Sequence, residues 1–401
     1  MNEIKPILAT LRRHKLIAGL LALLVACTCA IVCNIAFMIQ QSAARMRLPS
    51  GVAEHQVVAI TSTLLDKGAN MVAMQQTDLA ALRMIPGVAS AAAVDALPFN
   101  GNDWINGIGS TPQDTSTFAS MFDGSPGELQ TLGLQLVAGR DFRPDEYLPL
   151  EGPQGGLQHV PAAIITRPLA EKLFPGQDPL GKSIYSYPNP IRIVGVVAHL
   201  LQPDVGTGND SDNSVLLPLL PNDSSVMYVM RTRPGDRERV LKQAKEILYR
   251  VDGNRVLGDG ATFQQLRADY FHSDRTMIGL LIASAFSLLF VAALGIAGLA
   301  NFWVQQRTRT IGIRRALGAT RGDILAYFQT ESFLIVTMGV VLGMLLAVGL
   351  NLLLMTHYEL PHLPLFYLPV GALALWILGQ LAVLSPALRA SRVPPVAAMR
   401  Q

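Results

Sequence analysis

Residues 277–300 read MIGLLIASAFSLLFVAALGIAGLA, a stretch without Asp, Glu, Lys, Arg or His. As a helix it is long enough to cross a hydrocarbon core of about 30 Å. Three further stretches share this length and this lack of charge, namely residues 16–39, 332–355 and 365–384. Only 15% of the chain is charged and 50% is hydrophobic, whereas roughly a quarter of a soluble domain is charged. The sequence therefore predicts a membrane protein with four α-helical spans.

The first apolar stretch follows a basic run at residues 12–15, as the apolar region of a signal peptide does. Signal peptides have shorter apolar regions, of about 7–15 residues, and end at a small-residue cleavage site. We therefore interpret the stretch as an uncleaved anchor. Because Cys27, Cys29 and Cys33 all lie within it, we expect the remaining chain to fold without disulfides.

The orientation in the membrane follows from Lys and Arg near the span ends, because cytoplasmic connections carry an excess of them. Basic residues precede the first span, recur between the second and third spans and occur in the tail, whereas the connection 356–364 has none. Arg45 and Arg47 oppose this pattern. The sequence predicts that both termini are cytoplasmic and that residues 40–275 form a large outer domain.

The outer domain shows the patterns of both strands and helices. Its strands are predicted from runs of β-branched residues, and its helices from polar runs bounded by Pro and Gly. The predicted strands are Val57–Leu65, Val88–Val94, Ile191–His199 and Val226–Arg231, and the predicted helices are Thr77–Met84, Leu169–Phe174 and Asp236–Val251. The expected fold class is therefore a four-span helical membrane domain, in a one-plus-three arrangement, with a large α+β domain inserted between spans one and two.

Residues 176–183, GQDPLGKS, match the phosphate-loop pattern G-x4-G-K-[ST]. Phosphate binding requires a strand before this loop and a helix after it, so that backbone amides surround the phosphates. Here a helix is predicted before the loop and a strand after it, and Pro179 lacks the backbone N–H that a phosphate would use. We interpret the segment as a turn.

Other ionisable groups give no convincing site. His357, Glu359 and His362 could ligate a metal, but Pro361 separates them, and polar residues at a membrane interface are the preferred interpretation. A second group is interpreted as solvated surface and consists of Asp141, Asp145 and Glu146. A net charge of +3 gives no indication of nucleic-acid binding. We predict no catalytic, metal or cofactor site in this chain.

The four apolar stretches also lack the ionisable residues with which ion-coupled transporters bind their ion. Energy must therefore enter elsewhere. Small residues at helix-packing spacing, such as Gly339 and Gly343, indicate close contacts between helices.

Residues 307–323, RTRTIGIRRALGATRGD, connect the second and third spans. A helix over Asn301–Leu317 is predicted, with Ile311, Ala316 and Leu317 available for an apolar face. Gly318 suits a left-handed helix C-terminus, and Thr320 with Asp323 forms a capping box that begins the next helix. We call residues 301–331 the coupling elbow.

The elbow sequence, together with Glu331, resembles the conserved elbow of MacB/FtsX-like permeases of ABC transporters. The tail PALRASRVPPVAAMR at 386–400 is similar to the closing segment of that family. Motifs that resemble its MacB-type periplasmic core are GRDF at 139–142, LFPG at 173–176, PLGK at 179–182 and VGVV at 194–197.

The resemblance implies a mechanotransmission (type VII) permease in a bacterial inner membrane, without a catalytic site of its own. Two permeases would pair, and separate cytoplasmic ATPase subunits, which hold ATP and Mg²⁺, would dock beneath the elbow. The implied coupling residues are Arg309, Thr310, Ile311, Gly312, Ile313, Arg314, Arg315, Ala316, Leu317, Gly318, Ala319, Thr320 and Glu331. The large outer domain favours efflux with a membrane fusion protein and an outer-membrane channel. The alternatives are lipoprotein release, regulation of cell-wall hydrolases, or an anchored receptor or scaffold without transport.

One residue departs from the family pattern, because Thr310 stands where the family usually has Glu before Ile-Gly. The missing charge suggests a second, non-identical permease that carries the Glu. The expected segments are residues 1–15 (cytoplasmic), 16–39 (span one), 40–275 (periplasmic core), 277–300 (span two), 301–331 (elbow), 332–355 (span three), 356–364 (periplasmic loop), 365–384 (span four) and 385–401 (cytoplasmic tail).

Overall fold

The computed structural model describes residues 15–66, 70–150, 160–186, 189–206, 210–306, 311–313, 316–358 and 366–391. The chain forms two compact units. The membrane unit comprises Met1–Ala44 and Asp274–Gln401, and the outer unit comprises Arg45–Ser273.

Helices and strands alternate irregularly along the chain. In chain order the helices are α1 (Lys15–Arg45), α2 (Met71–Arg83), α3 (Glu128–Leu132), α4 (Arg167–Leu173), α5 (Arg237–Val251), α6 (Phe263–Tyr270), α7 (His272–Gln306), α8 (Arg321–Tyr358) and α9 (Tyr367–Ser391). The strands are β1 (Val57–Leu64), β2 (Val88–Val94), β3 (Trp104–Ile108), β4 (Thr117–Asp123), β5 (Leu136–Gly139), β6 (Leu148–Pro149), β7 (Ala162–Thr166), β8 (Ser183–Ser186), β9 (Asn189–Val197), β10 (Ser214–Leu217), β11 (Leu219–Leu220), β12 (Ser225–Thr232), β13 (Arg255–Leu257) and β14 (Ala261–Thr262).

The structure has four helices, α1, α7, α8 and α9, that are long and apolar enough to cross a membrane, and each contains most or all of one predicted apolar stretch. Helix α9 begins at Tyr367, two residues inside the stretch 365–384, and all four helices continue past the C-terminal end of their stretch. The helices differ in burial. The apolar window of α1 is 67% buried within the unit, whereas that of α7 is 6% buried. Helix α1 is therefore central to this unit, and α7 presents an apolar surface.

Two glycines allow α8 to approach α1 closely. A Cβ at Gly343 would lie 2.5 Å from the Cβ of Cys29 and 2.7 Å from the carbonyl oxygen of Ala26. A Cβ at Gly339 would lie 2.7 Å from the Cβ of Val25. These contacts are too short for any side chain, so the predicted close packing at the two glycines is confirmed.

We expect Gly343→Ala to force α8 away from α1 and to destabilise the chain by about 1–3 kcal/mol, as overpacking does. The measurement is thermal unfolding of the detergent-solubilised chain. Gly349→Ala is the matched control, because no atom lies within 4 Å of its Cβ position on the same helix. Equal melting temperatures for the two variants would contradict the close approach.

The first lobe of the outer unit is built on a five-stranded sheet with the order β13-β1-β12-β2 and with β14 beside β1. Val58 and Ile60 of β1 pack under α2 and α5, while Val57 and Ala59 face the opposite core. Since both faces are buried, the start of this strand reads as an unbroken apolar run rather than an alternating pattern.

The second lobe is built on a seven-stranded sheet with the order β3-β4-β10-β7-β9-β5 and with β8 beside β9. The pairs β4–β10 and β7–β9 are parallel, and the other pairs are antiparallel. One face of the sheet packs on α4. The other face contributes Phe122, Ile164 and Leu216 to the core that also contains Val57 and Ala59 of the first lobe. The two lobes thus share one hydrophobic core.

Most predicted elements of this unit are confirmed with small shifts. The strand Val88–Val94 matches, and the strands predicted at Val57–Leu65 and Val226–Arg231 differ by one residue at their ends. The helix predicted at Leu169–Phe174 begins two residues earlier and ends one residue earlier. The α-helix predicted from Asp236 begins at Arg237, because residues 234–236 form a 3-10 turn.

Two predicted boundaries are wrong. The helix predicted from Thr77 begins at Met71, because the side chain of Asn70 accepts a hydrogen bond from the N–H of Ala73 and caps it. The strand predicted at Ile191–His199 begins at Asn189 and ends at Val197. Pro190 is tolerated because it lies at the second position of the strand, where a ladder N–H is not needed.

Candidate coupling site

The coupling elbow contains the predicted helix end. Residues 311–313 are helical, and the N–H of Leu317 donates to the carbonyl oxygen of Ile313 at 3.0 Å. Gly318 then adopts φ +101°, a left-handed conformation that favours glycine. The predicted left-handed helix terminus is thereby confirmed.

A new helix starts two residues later through the predicted capping box. The N–H and the hydroxyl of Thr320 donate to Oδ2 of Asp323 at 2.8 and 2.7 Å. The N–H of Asp323 donates back to the Thr320 hydroxyl at 3.2 Å. These bonds satisfy amides that the first turn of α8 would otherwise leave unpaired.

The apolar residues of the elbow face two directions. Ile311 is buried in the core of the membrane unit, whereas Ile313 is 47% exposed and Leu317 is 83% exposed. Ala316 is exposed as well. The prediction that Ile311 shares one apolar face with Ala316 and Leu317 is therefore wrong. Ile311 anchors the elbow, and Ile313 with Leu317, one turn apart, form an exposed apolar pair.

Several predicted coupling residues lie outside the described residues, and their roles stay predictions: Arg309, Thr310, Arg314 and Arg315. Gly312 is buried, and Ala319 is partly exposed next to the capping box.

Glu331 lies inside the membrane unit and not on its surface. It is 1% exposed and lines a cavity of about 30 Å³ together with Trp303, Phe328 and Ser332. A cavity of this size admits one or two water molecules. Helix α8 continues through Glu331 without a break, so an ionisable residue does enter the helical core. Its predicted part in coupling would act through helix packing, since its side chain is covered.

The outer unit contains a second candidate group that the sequence analysis did not single out. Arg267 of α6 donates to the carbonyl oxygens of Met46 and Leu48 at 2.6 and 2.8 Å and forms an ion pair with Glu54. Its guanidinium also lies 5.1 Å from the ring centroid of Phe99. Arg267 thus joins the segment that follows α1 to the helix that precedes α7.

Aromatic rings surround this arginine. The ring of Phe99 lies 5.4–5.7 Å from the rings of Phe263, Tyr270 and Phe271. Phe99 has φ +71°, which is uncommon outside glycine, and its N–H donates to the carbonyl oxygen of Pro203 at 3.1 Å. The surrounding rings hold the backbone of Phe99 in this unfavourable conformation. We call Arg267, Phe99, Phe263, Tyr270 and Phe271 the connector cluster.

The connector cluster also holds a loop of the second lobe. The hydroxyl of Tyr270 donates to Asp204 at 2.5 Å and accepts from the N–H of Val205 at 2.8 Å. Arg45 lies 5.9 Å from the ring centroid of Phe271. The sequence does contain a pattern that indicates this group. Phe263, Arg267 and Tyr270 are spaced as residues on one face of a helix, just before a predicted span.

The GQDPLGKS segment is a turn, as predicted. It connects α4 to β8, the reverse of a phosphate-loop context. The Lys182 ammonium bonds to Oε1 of Gln177 at 2.5 Å and lies 4.8 Å from the ring centroid of Phe174. The lysine is engaged with its own turn, so the segment has the geometry of a structural element.

The remaining ionisable groups form no metal site in the part of the chain that is described. Arg140 binds both carboxylate oxygens of Glu146, at 2.8 and 2.5 Å. Asp141 and Asp145 are exposed, as solvated surface residues are. The side chains of His357, Glu359 and His362 lie outside the described residues.

Family models match both units. Residues 20–247 match the MacB-like periplasmic core domain, and residues 282–395 match the FtsX-like permease C-terminal model. The chain belongs to the MacB/FtsX-like ABC transporter permeases. Its outer unit corresponds to the periplasmic core domain of these permeases, and its apolar helices correspond to their membrane part.

Curated relatives of this permease include an uncharacterized ABC transporter permease, YknZ of Bacillus subtilis, 25% identical over 278 residues that cover 68% of each chain. The macrolide export ATP-binding/permease protein MacB of Nitrobacter winogradskyi is 29% identical over 251 residues, which cover 60% of this chain and 38% of the relative. The chain thus spans less than half of this export protein. Among solved structures, the periplasmic region of MacB from Actinobacillus actinomycetemcomitans covers 55% of this chain and 94% of its own length, with 13% identity and a TM-score of 0.33.

Proposed function

We propose that this permease converts ATP hydrolysis by a separate cytoplasmic ATPase into motion of its periplasmic domain, and that this motion drives efflux. The observation that carries the proposal is the elbow with its exposed pair, Ile313 and Leu317. Gly318 and the Thr320–Asp323 capping box define the backbone where one helix ends and α8 begins. Exposed apolar residues beside such a defined helix end are typical of a protein-binding surface.

The connector cluster supports the mechanical part of the proposal. Arg267 binds residues 46 and 48, which follow α1, and itself lies five residues before His272, where α7 begins. The segment that follows α1 and the segment that precedes α7 are therefore bound to one another. A displacement of either segment is carried to the other, and to the loop that contains Asp204, because hydrogen bonds and packed rings join them.

The arrangement we propose places one span before the periplasmic domain and three after it, with both termini in the cytoplasm. The permease has no catalytic role of its own, and ATP and Mg²⁺ belong to the ATPase. Efflux is favoured because similar proteins include a macrolide export protein and a pyoverdine export protein. A second permease, a membrane fusion protein and an outer-membrane channel complete the proposed assembly.

We expect Leu317→Asp to reduce the amount of ABC ATPase that co-purifies with the tagged permease from native membranes by about tenfold. A charge in place of an apolar contact removes about 1.4 kcal/mol or more of binding energy. The measurement is quantitative mass spectrometry of the ATPase, together with the ATPase rate of the complex. Met84→Asp is the control, because Met84 is 81% exposed on the outer unit.

Unchanged recovery of the ATPase with Leu317→Asp would refute docking at the elbow. Recovery of no ATPase by the wild-type permease would refute the proposed function itself. The same purification tests the hypothesis about Thr310, since a second, non-identical permease with Glu at that position is expected in the complex. A homodimer with full ATPase coupling would contradict it.

A further inference from the structure

Three carboxylic acids meet where the two lobes of the outer unit join. Asp95 directly follows β2 of the first lobe, Asp123 ends β4 of the second lobe, and Glu128 opens α3. Asp123 and Glu128 are each 1% exposed, and a small part of Asp95 is open to solvent. We call these three residues the joint acids.

Backbone hydrogen bonds tie the lobes together at this point. The N–H of Asp123 donates to Oδ1 of Asp95 at 2.8 Å, and the N–H of Asp95 donates to the carbonyl oxygen of Asp123 at 3.1 Å. A second pair of bonds joins Ala93, two residues before Asp95, to Ser125, two residues after Asp123. The N–H of Ala93 donates to the Ser125 hydroxyl, and the N–H of Ser125 donates to the carbonyl oxygen of Ala93, both at 2.8 Å. A carboxyl group is thus part of the connection between the sheets.

Each of the other two acids, Asp123 and Glu128, has one enclosed oxygen without a partner in the described part of the chain. A Cβ at Gly124 would lie 2.0 Å from Oε2 of Glu128, so the carboxyl group rests directly on the backbone. Within the described part of the chain, Oε1 of Glu128 and Oδ1 of Asp123 have no hydrogen-bond partner. A buried carboxylate without a partner is costly, whereas a protonated carboxyl group is much less so.

The groups around the joint acids do not compensate their charge. Carboxylates face them from neighbouring segments, and the nearby arginines bind other groups. Asp103 faces Asp95, and Asp141 and the phenol of Tyr147 face Glu128. Arg140 is paired with Glu146, Arg83 of α2 donates to the carbonyl oxygens of Ala91 and Pro126, and Arg231 of β12 donates to that of Gln130.

We propose that Asp95, Asp123 and Glu128 form a proton-binding site that keeps the two lobes joined when it is protonated and loosens the joint when protons leave. The proposal does not rest on the proposed transport function. Deprotonation would place several negative charges within one small enclosed volume, and their repulsion would act across the contact between β2 and β4. The open edge at Asp95 gives protons a route to the solvent.

The direction of the pH effect follows from the raised pKa values. Burial raises the pKa of Asp95 to about 7. Burial raises the pKa of Glu128 and Asp123 well above the ordinary range too, and neighbouring carboxylates add to this effect. In the unfolded chain such groups titrate near pH 4. For Asp95 the stabilisation by protonation is therefore complete below about pH 4 and is lost as the pH rises through about 7. The contributions of Glu128 and Asp123 have the same sign, so they too are lost as the pH rises through the raised pKa of each group.

The first test is the melting temperature of the detergent-solubilised full chain between about pH 5 and about pH 8. We expect it to fall by about 3–5 °C per pH unit for each proton released. Glu128→Gln and Asp95→Asn, which imitate the protonated forms, are expected to flatten this dependence. Asp145→Asn, at an exposed position, is expected to keep it. A full wild-type slope in both Glu128→Gln and Asp95→Asn would overturn the proposal.

The second test measures the joint itself. Spin labels at Lys242→Cys of α5 and Glu171→Cys of α4, in a chain whose three native cysteines are replaced by Ala, report the distance between the lobes by pulsed electron paramagnetic resonance. We expect the distance distribution to widen from about pH 5 to about pH 8, and to stay narrow when Glu128→Gln is added. A distribution that does not change with pH would overturn the proposal even if the melting temperature changes.

Discussion

Asp78→Asn is expected to destabilise the outer unit by about 3–5 kcal/mol, which corresponds to a fall in melting temperature of roughly 10 °C. Asp78 forms a 2.7 Å ion pair with Arg255, and the two side chains are 1% and 0% exposed. Tyr228 donates its hydroxyl to the same Asp78 oxygen at 2.6 Å. The variant keeps the size of the side chain but leaves the guanidinium buried without its counter-charge.

The ion pair joins parts of the first lobe that are far apart in the chain. Asp78 lies on α2, Arg255 on β13 and Tyr228 on β12. Burial and the neighbouring Asp78 raise the pKa of Tyr228, so its hydroxyl stays protonated and available as a donor. One substitution therefore weakens the contacts among three elements.

Thermal unfolding of the solubilised chain, followed by circular dichroism, measures this effect. The matched control is Asp259→Asn, because Asp259 is fully exposed and its contact with Lys245 is 3.8 Å long. Exposed pairs of this kind contribute little. A loss of less than about 1 kcal/mol in Asp78→Asn would show that the buried pair does not hold the lobe together.

Arg267→Met is expected to have the second large effect, about 2–4 kcal/mol. Met preserves much of the apolar stem that packs near Phe99, while the bonds to the carbonyl oxygens of Met46 and Leu48 and the ion pair with Glu54 are lost. Hydrogen bonds that involve a charged group are worth more than neutral ones. Because these bonds join the two connections of the outer unit, their loss is also expected to make the segment around residues 46–50 more accessible.

Limited proteolysis and hydrogen exchange of residues 46–50 measure the loosening, and thermal unfolding measures the stability. Arg239→Met is the control, because the partners of this exposed arginine, Asp236 at 2.7 Å and the carbonyl oxygen of Pro86 at 3.0 Å, do not include residues 46–50. If residues 46–50 of Arg267→Met are as protected from proteolysis and hydrogen exchange as those of the wild type, the role of the connector cluster is contradicted.

Local patterns in the sequence predicted a large part of this protein. The absence of charge over four long stretches predicted the membrane helices, because a helix in lipid needs only apolar side chains and its own hydrogen bonds. Gly318 and the Thr320–Asp323 pair predicted where one helix ends and the next begins, because caps are formed by neighbouring residues. The context around GQDPLGKS excluded phosphate binding for the same local reason. The α+β composition of the outer unit followed from β-branched runs and from Pro-Gly breaks.

Contacts between distant residues could not be predicted in this way. Glu331 stands one residue before a charge-free stretch, and only the packing of the helices places it in their core. Arg267 reaches carbonyl groups about 220 positions away in the chain, a contact that has no periodic signature. Asp95 and Asp123 look like ordinary acids at strand ends until the bridge between Val94, at the end of β2, and Gly124, just after β4, brings them together.

By itself the sequence determined the membrane class, the elbow and the family of this permease, because hydropathy, capping and short motifs are properties of adjacent residues. The tertiary structure alone decided which charges are buried and with what partners. Those outcomes depend on desolvation, and desolvation is fixed only when segments far apart in the chain enclose the same side chain.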